Sequence, residues 1–210
     1  MQLYGQLLRK YGKQGWWPVI RKGKCVYHAG DYATPKTRTG QFQIVVGAIL
    51  AQNTNWKNAE KALLSLQAAK MLSAEKLAAA PKRKIAQLIR SSGYYNQKAE
   101  RLKTIAKLFP HLHRCKSLQH MRRLLLSTKG IGPETADSIM LYAFRQPVFV
   151  IDAYTRRFCK ANHLSKSGDY EQLRSFFETN LPLDFRIFNE CHALIVRWGK
   201  ENRSQQLKTA

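Results

Sequence analysis

Two short motifs that lie close together in the sequence could hold a phosphate group and act on the molecule that carries it. The first, residues 129–137 (KGIGPETAD), leads into a stretch with helical spacing that ends near Phe144. Two glycines permit a tight hairpin, and the free amides at the start of a helix can bind a phosphate oxygen without any side chain. The second motif, Val150-Ile151-Asp152, follows an apolar run. The pattern predicts a helix–hairpin–helix that binds an anion, with Asp152 as the candidate for chemistry.

The charge balance indicates which anion is bound. Lys and Arg number 36 against 13 Asp and Glu, a formal net charge of +23. Binding a polyanion relieves such self-repulsion, so nucleic acid is the first candidate partner and an anionic membrane surface the second. No apolar run has the length of a membrane span, and the first residues lack the pattern of a signal peptide. We therefore expect a cytoplasmic protein that binds nucleic acid and no membrane.

The cysteines give no sign of a disulfide framework or of a zinc site. Cys25, Cys115, Cys159 and Cys191 lie far apart and share no paired spacing, whereas zinc sites and disulfide scaffolds show characteristic short spacings. Ordinary half-buried thiols in a reducing compartment are expected. The chain has 210 residues, of which 44% are hydrophobic, and this is enough to bury a core in one domain or two small lobes.

Helical periodicity dominates the chain and predicts an all-α fold. Apolar residues recur at helical spacing between residues 42 and 50 and between residues 59 and 66, and Ser73 and Pro81 are typical helix starts. Strand signals are confined to residues 147–151 and residues 25–28. Further helices are predicted over residues 94–109, 169–179 and 184–199.

Several motifs together resemble one known family. The hairpin, the following Val-Ile-Asp and residues 47–54 (GAILAQNT) resemble the helix-hairpin-helix DNA glycosylases, the endonuclease III superfamily. Residues 92–99 (SGYYNQKA) and Trp16-Trp17-Pro18 resemble its bacterial 3-methyladenine DNA glycosylase branch. The resemblance covers residues 15–200. It implies a helical barrel over residues 35–145, a second helical lobe formed by residues 1–34 and 146–210, and an active site in the cleft between them.

The chain departs from the family pattern at two places. In members with lyase activity, a lysine at the position of Glu134 attacks the sugar, whereas here Lys129 lies on the hairpin instead. A carboxylate cannot form that Schiff base. Many relatives also carry a four-cysteine iron–sulfur loop, but Arg203 stands where its first cysteine would fall. We therefore expect neither an iron–sulfur cluster nor any other metal or cofactor.

Asp152 can be given a chemical role without the family. Breaking a base–sugar bond develops positive charge on the sugar, and a nearby carboxylate can stabilise that charge or deprotonate water. An alkylated purine is already positively charged, so it leaves with little help from an acid. The alternative role for Asp152 is that of an N-cap for the next helix. Both roles are compatible, because capping would fix the carboxylate and lower its pKa.

A base must leave the DNA stack and enter a pocket before this chemistry can occur. Tyr94 and Tyr95 are expected in the core, and Gln52 could fill the gap left by the base. Lys36, Arg38, Lys57, Lys98 and Arg156 could touch phosphates. The candidate pocket walls are Trp16, Trp17 and Trp56, and the candidate DNA-binding residues are Gln52, Lys129, Gly130, Gly132 and Thr135.

The expected function is that of a monofunctional DNA glycosylase. It would excise damaged bases, alkylated ones of the 3-methyladenine type, from double-stranded DNA in base excision repair, acting as a monomer. Two alternatives remain open. One is a bifunctional glycosylase and AP lyase that acts on oxidised pyrimidines, and the other is a non-catalytic protein that binds DNA structures.

Overall fold

The computed structural model describes residues 2–165 and 167–206. Within this part of the chain one antiparallel pair of strands, β1 (Val19–Arg21) and β2 (Lys24–Val26), accompanies the helices. The all-α prediction is thus confirmed. The helices are α1 (Gln2–Tyr11), α2 (Arg38–Leu50), α3 (Trp56–Ala68), α4 (Ala74–Ala79), α5 (Lys82–Leu88), α6 (Tyr95–Leu112), α7 (Leu118–Leu126), α8 (Pro133–Ser138), α9 (Ala153–Ala161), α10 (Tyr170–Asn180) and α11 (Phe185–Gln206). A 3-10 turn covers Arg90–Ser92, and a π-helical turn, Ile139–Ala143, continues α8.

Helix α2 forms the centre of the fold. The Thr37 side chain caps its start by accepting a hydrogen bond from the Gly40 amide at 3.1 Å. Every residue from Phe42 to Leu50 is buried, and the helix packs against α3, α6, α8, β1 and the π-helical turn. Burial of such an apolar helix on all sides is typical of a helix at the centre of a helical core.

The contacts between helices divide them into two groups, and α11 contacts both groups. Helices α2 to α8 pack mainly among themselves, whereas α1 and α9 pack on α11. Helix α11 also contacts the π-helical turn, and thereby joins the groups. The predicted boundaries of the two lobes at residues 35 and 145 stay a prediction. The four cysteines are free thiols, as expected, and Cys159 and Cys191 are buried.

The segment 147–151 is not a strand, and the prediction made for it is wrong. It has no partner strand among the described residues, and two of its amides bond to side chains of α10 instead. The Phe149 amide donates to Glu178 Oε1 at 2.9 Å, and the Ile151 amide lies 3.5 Å from the Tyr170 hydroxyl. A short apolar run shows only that a segment is buried and does not show what satisfies its backbone. The other strand prediction, over residues 25–28, corresponds to β2 at Lys24–Val26.

Candidate active site

Asp152 is the N-cap of α9. Its Oδ1 accepts hydrogen bonds from the Thr155 amide at 2.7 Å and from the Thr155 hydroxyl at 3.0 Å. The capping role considered for Asp152 is therefore confirmed. Because Oδ1 holds the helix, Oδ2 is left to face the interior of the site, and the side chain is 16% exposed. The cap thus fixes the carboxylate without using both of its oxygens.

The surroundings of Asp152 favour its charged form. Burial alone would raise the pKa of this carboxyl, but His192 and the two hydrogen bonds from Thr155 outweigh burial and hold the pKa below its ordinary value. Asp152 is accordingly a carboxylate at neutral pH, which is the form that can oppose a developing positive charge.

Two side chains that the sequence analysis did not single out complete the contacts of Asp152. His192 of α11 places Nε2 3.5 Å from Asp152 Oδ2, and its Nδ1 lies 2.5 Å from the Tyr142 hydroxyl. Both residues are almost fully buried. A histidine on an otherwise apolar face of a predicted helix was the available signal. A core histidine is common, however, and only the fold shows that Asp152 lies beside it.

The three predicted tryptophans lie together, next to Tyr142. Ring centroids are 5.6 Å apart for Trp16 and Trp17, 6.0 Å for Trp16 and Trp56, and 5.4 Å for Trp17 and Trp56. Trp17 also meets the Tyr142 ring edge-on at 5.4 Å. Trp17 is buried, whereas Trp16 and Trp56 are half-buried. The cluster therefore connects through Tyr142 and His192 to Asp152, and two of its rings have surface available for a base.

Gly47 lies where α2 contacts the tryptophan cluster formed by Trp16, Trp17 and Trp56. A Cβ added at Gly47 would lie 3.0 Å from Trp17 Nε1, tighter than ordinary contact. The absence of a side chain there lets the Trp17 indole lie against the helix backbone.

A cavity of about 300 Å³ opens on the outer side of Trp16. Lys200 Nζ lies 5.0 Å from the centroid of the Trp16 ring. Burial and the neighbouring Arg197 lower the pKa of Lys200, while the Asp152 charge acts in the opposite direction. The charge of Asp152 therefore acts on one of the residues that line the cavity. It is lined by Gln14, Trp16, Tyr27, Val196, Arg197 and Lys200.

The hairpin between α7 and α8 requires only one of its two glycines for conformational reasons. Gly130 has φ +85°, and a Cβ there would lie 2.3 Å from Arg101 Nε. Gly132, the N-cap of α8, has φ −91° and ψ 178°, with nothing within 4 Å of an added Cβ. Of the two glycines from which the hairpin was predicted, only Gly130 therefore uses backbone angles that other residues rarely adopt, because any residue adopts the extended conformation of Gly132.

The other predicted DNA-binding residues meet around the hairpin. Gln52 Nε2 donates to the Gly130 carbonyl at 3.0 Å and to Thr135 Oγ1 at 2.9 Å, and its Oε1 accepts from Arg101 at 2.6 Å. The Gln52 amide thus braces the hairpin in this structure. Thr135 is buried and its hydroxyl accepts from Gln52, whereas the Lys129 side chain is exposed, and DNA contacts by these residues stay a prediction.

Two expectations for residues near the start of α6 need revision. Tyr94 is 64% exposed with φ +46°, so its predicted core position is wrong, whereas Tyr95 is half-buried. Lys98 is buried, and its Nζ donates to the carbonyls of Leu50 at 2.8 Å and Ser92 at 2.6 Å. Burial and Arg101 lower the pKa of Lys98 to about 8. This lysine ties the end of α2 to the loop and is not exposed as a phosphate contact would be. The other four predicted phosphate contacts, Lys36, Arg38, Lys57 and Arg156, are exposed.

Glu134 lies in the first turn of α8, within the electrostatic reach of Asp152. Loss of solvent around its carboxyl, followed by repulsion from Asp152, raises the pKa of Glu134, while His192 and Arg156 oppose the change. A second carboxyl group therefore borders the site at the position expected for a lyase lysine.

The described residues contain no group of three or more His, Cys, Asp or Glu side chains arranged to hold a metal ion. The expectation that the protein needs no cofactor stays a prediction. No helix in the same part of the chain is long and apolar enough to cross a bilayer.

Comparison with known proteins shows to which protein family the chain belongs. Residues 46–182 match the HhH-GPD superfamily of base excision DNA repair proteins, and the chain belongs to this family. It is 38% identical over 209 residues to MJ1434 of Methanocaldococcus jannaschii, which carries the name of an inferred DNA repair glycosylase; the alignment covers 95% of this chain and 86% of that protein. The chain is thus a DNA glycosylase of base excision repair, and DNA is its partner.

Two solved structures illustrate the likeness. The crystal structure of the H. pylori 3-methyladenine DNA glycosylase bound to 1,N6-ethenoadenine superposes with a TM-score of 0.67 at 28% identity, over 82% of this chain and 93% of that one. A non-covalent endonuclease III–DNA complex superposes with a TM-score of 0.70 at 16% identity, over 92% and 81% of the two chains. The second likeness shows the shared fold alone.

The geometry of Gly132 allows a test of the hairpin. Replacing Gly132 by Asp should weaken binding of damaged and undamaged duplexes alike, by tenfold or more, because bringing like charges together at an interface costs several kcal/mol. Folding should not suffer, since space is open around this residue and Asp is a favoured N-cap. Fluorescence anisotropy with both duplexes measures the effect, and Gly132→Ala is the matched control. A loss confined to lesion-containing DNA would contradict a phosphate contact at the hairpin.

Proposed function

We propose that this protein is a monofunctional DNA glycosylase that excises alkylated bases of the 3-methyladenine type from double-stranded DNA, acting as a monomer. The observation that carries the proposal is the arrangement of Asp152, held as a carboxylate, next to a cluster of three tryptophans, with Glu134 rather than a lysine at the edge of the site.

The reaction needs little more than this carboxylate. As the base–sugar bond lengthens, positive charge grows on the sugar, and Asp152 would stabilise it and orient or deprotonate the attacking water. A base alkylated on a ring nitrogen carries positive charge before the bond breaks. It leaves as a neutral molecule and requires no strong acid. A site with one ionised carboxylate suits this class of leaving group.

The aromatic cluster suits an electron-poor base. A cationic ring stacked on an indole gains an attraction of roughly 1–2 kcal/mol that a neutral base lacks. The likeness to the H. pylori 3-methyladenine enzyme supports the same class of substrate. Lys200 already lies over one side of Trp16. The base would therefore stack on the remaining surface of Trp16 or on Trp56, while the more deeply buried Trp17 would support them.

Exposed groups around the hairpin suit the binding of a distorted duplex. The free amides at the start of α8 would hold a phosphate, and the exposed ring of Tyr94 lies on the loop that Lys98 ties to the end of α2. Since unstacked bases stack readily on aromatic rings, Tyr94 would contact the DNA where the damaged base has been turned out.

A second candidate function is a glycosylase with lyase activity on oxidised pyrimidines. The observation that favours it is the Lys200 amine, whose lowered pKa makes it more nucleophilic and which lies within the electrostatic reach of Asp152. Glu134 argues against it, because the lysine of lyase-competent relatives is replaced by a carboxyl group.

A panel of duplexes, each containing a single lesion, tests the substrate class. We expect release of 3-methyladenine, with 7-methylguanine as a second substrate, and little release of thymine glycol or 8-oxoguanine. Free base is measured by chromatography under single-turnover conditions. A preference for thymine glycol would overturn the assignment to alkylated bases, and release of no base would overturn the proposed activity.

Tryptophan variants in the same panel test cation selection. Replacing the stacking residue, Trp16 or Trp56, by Ala should cost roughly 1–3 kcal/mol, the value of a base–aromatic stack, and more for charged lesions than for neutral ones. Trp198 packs edge-on against Phe158, outside the cluster, and Trp198→Ala is the matched control. Equal losses on charged and neutral bases would leave stacking in place and remove the selection for cations.

A further inference from the structure

We propose that His192, fixed in orientation by Tyr142, is a positioning residue that keeps Asp152 ionised and its Oδ2 atom directed into the site. The inference rests on the proposed function, because it concerns the carboxylate that would act on the sugar. It adds two residues to the site, neither of which was expected from the sequence motifs.

The first step is to decide which nitrogen of the neutral imidazole ring carries the proton. The Tyr142 hydroxyl lies 2.5 Å from His192 Nδ1, and Nε2 faces Asp152 Oδ2 at 3.5 Å. If the neutral ring carried its proton on Nδ1, the lone pair of Nε2 would face a carboxylate, which is repulsive. The favoured arrangement has the Tyr142 hydroxyl donating to Nδ1 and the Nε2 proton pointing at Asp152.

The second step is burial. His192 is 6% exposed and Tyr142 is 2% exposed, and Nε2 of His192 has no conventional hydrogen-bond partner among the described residues. A buried N–H without a hydrogen-bond partner is costly. The interior also has a low dielectric constant, which strengthens the attraction between this N–H and the Asp152 carboxylate, the nearest anionic group shown for it.

Other charged groups around Asp152 do not replace His192. Glu134 from α8 is also acidic and disfavours ionisation of Asp152, while the positive charge of Lys200 from α11 favours it. Arg156 of α9 is exposed to solvent, which screens its charge. Among the ionisable side chains of the described residues, His192 is the one whose side-chain nitrogen lies within 4 Å of an Asp152 carboxylate oxygen.

The test is the pH dependence of single-turnover base release. In His192→Gln, Asp152 keeps its hydrogen bonds from Thr155 but loses the ring, so its ionised form is less favoured and the acid limb of the rate profile should move to higher pH. After subtraction of spontaneous release, the loss at pH 5 should be roughly fivefold or more greater than the loss at pH 8, as expected when a group that favours the ionised form of a carboxyl is removed.

Tyr142→Phe provides the second variant, because it removes only the hydroxyl and keeps the ring that packs on Trp17. Without the hydroxyl, Nδ1 of the imidazole loses its hydrogen-bond partner and the orientation of the ring is no longer fixed, so the shift should have the same direction and a smaller size. His113→Gln is the matched control. That ring is also partly buried, but it packs against Phe109 and Phe144, so its loss should not move the acid limb.

The outcomes separate this inference from the proposed function. A displaced acid limb in the folded variants supports the positioning role. A rate that falls equally at every pH in both variants overturns it, and if His192→Gln does not fold, the profile of Tyr142→Phe decides. Should Asp152→Asn retain full activity, the proposed function itself fails, whereas an inactive Asp152→Asn combined with unshifted profiles rejects the role of His192 alone.

Discussion

Replacing Asp152 by Asn is expected to slow base release by on the order of a hundredfold or more, the range seen when one preorganised electrostatic group is lost. Asn keeps the shape and a hydrogen-bond acceptor but cannot oppose the positive charge that grows on the sugar. Single-turnover release of an alkylated base from a duplex measures the change. Excision at the wild-type rate would rule out Asp152 as the catalytic group.

The position of Asp152 makes this substitution informative. Asn is as good an N-cap as Asp, so the start of α9 and its bond from the Thr155 amide should survive. DNA binding should be unchanged or tighter. Asp169 caps α10 in the same way, accepting from the Gln172 amide at 2.9 Å, and its side chain is exposed. Asp169→Asn is therefore a matched control, expected to release base at the wild-type rate.

The second large effect is expected at Glu134. Borohydride should trap no adduct between the wild-type protein and DNA at neutral pH, and abasic strands should break only after alkali treatment, because a carboxylate cannot form a Schiff base. Glu134→Lys places an amine at the edge of the site, close to Asp152, and should produce a trapped adduct visible by gel electrophoresis. The cost of a cation in the first turn of α8 is modest, about 0.3–1 kcal/mol.

Efficient trapping by the wild-type protein would favour the lyase alternative. The amine would then be Lys129 on the hairpin or Lys200 beside Trp16. Loss of trapping in Lys129→Gln or in Lys200→Gln would identify it, and the unaffected variant would serve as the control.

Features of this protein that depend on local chemistry could be predicted from the sequence. The glycine hairpin, the cap at Ser73 and the apolar spacing of α2, α3 and α6 depend on backbone angles, hydrogen bonds and side chains within a few residues of each other. Asp152 could be singled out for the same reason, since a carboxylate at the end of an apolar run is visible in the sequence.

Features that depend on distant partners were decided by the tertiary structure. The segment 147–151 looks like a strand, yet Glu178 and Tyr170 of α10 satisfy its amides. Lys98 looks like a surface cation, yet two carbonyls surround its amine inside the protein. His192 lies 40 residues beyond Asp152 in the sequence. Thr155 lowers the pKa of Asp152 through local hydrogen bonds, but the contribution of His192 arises only when α11, α9 and the π-helical turn pack together, because it depends on distance in space.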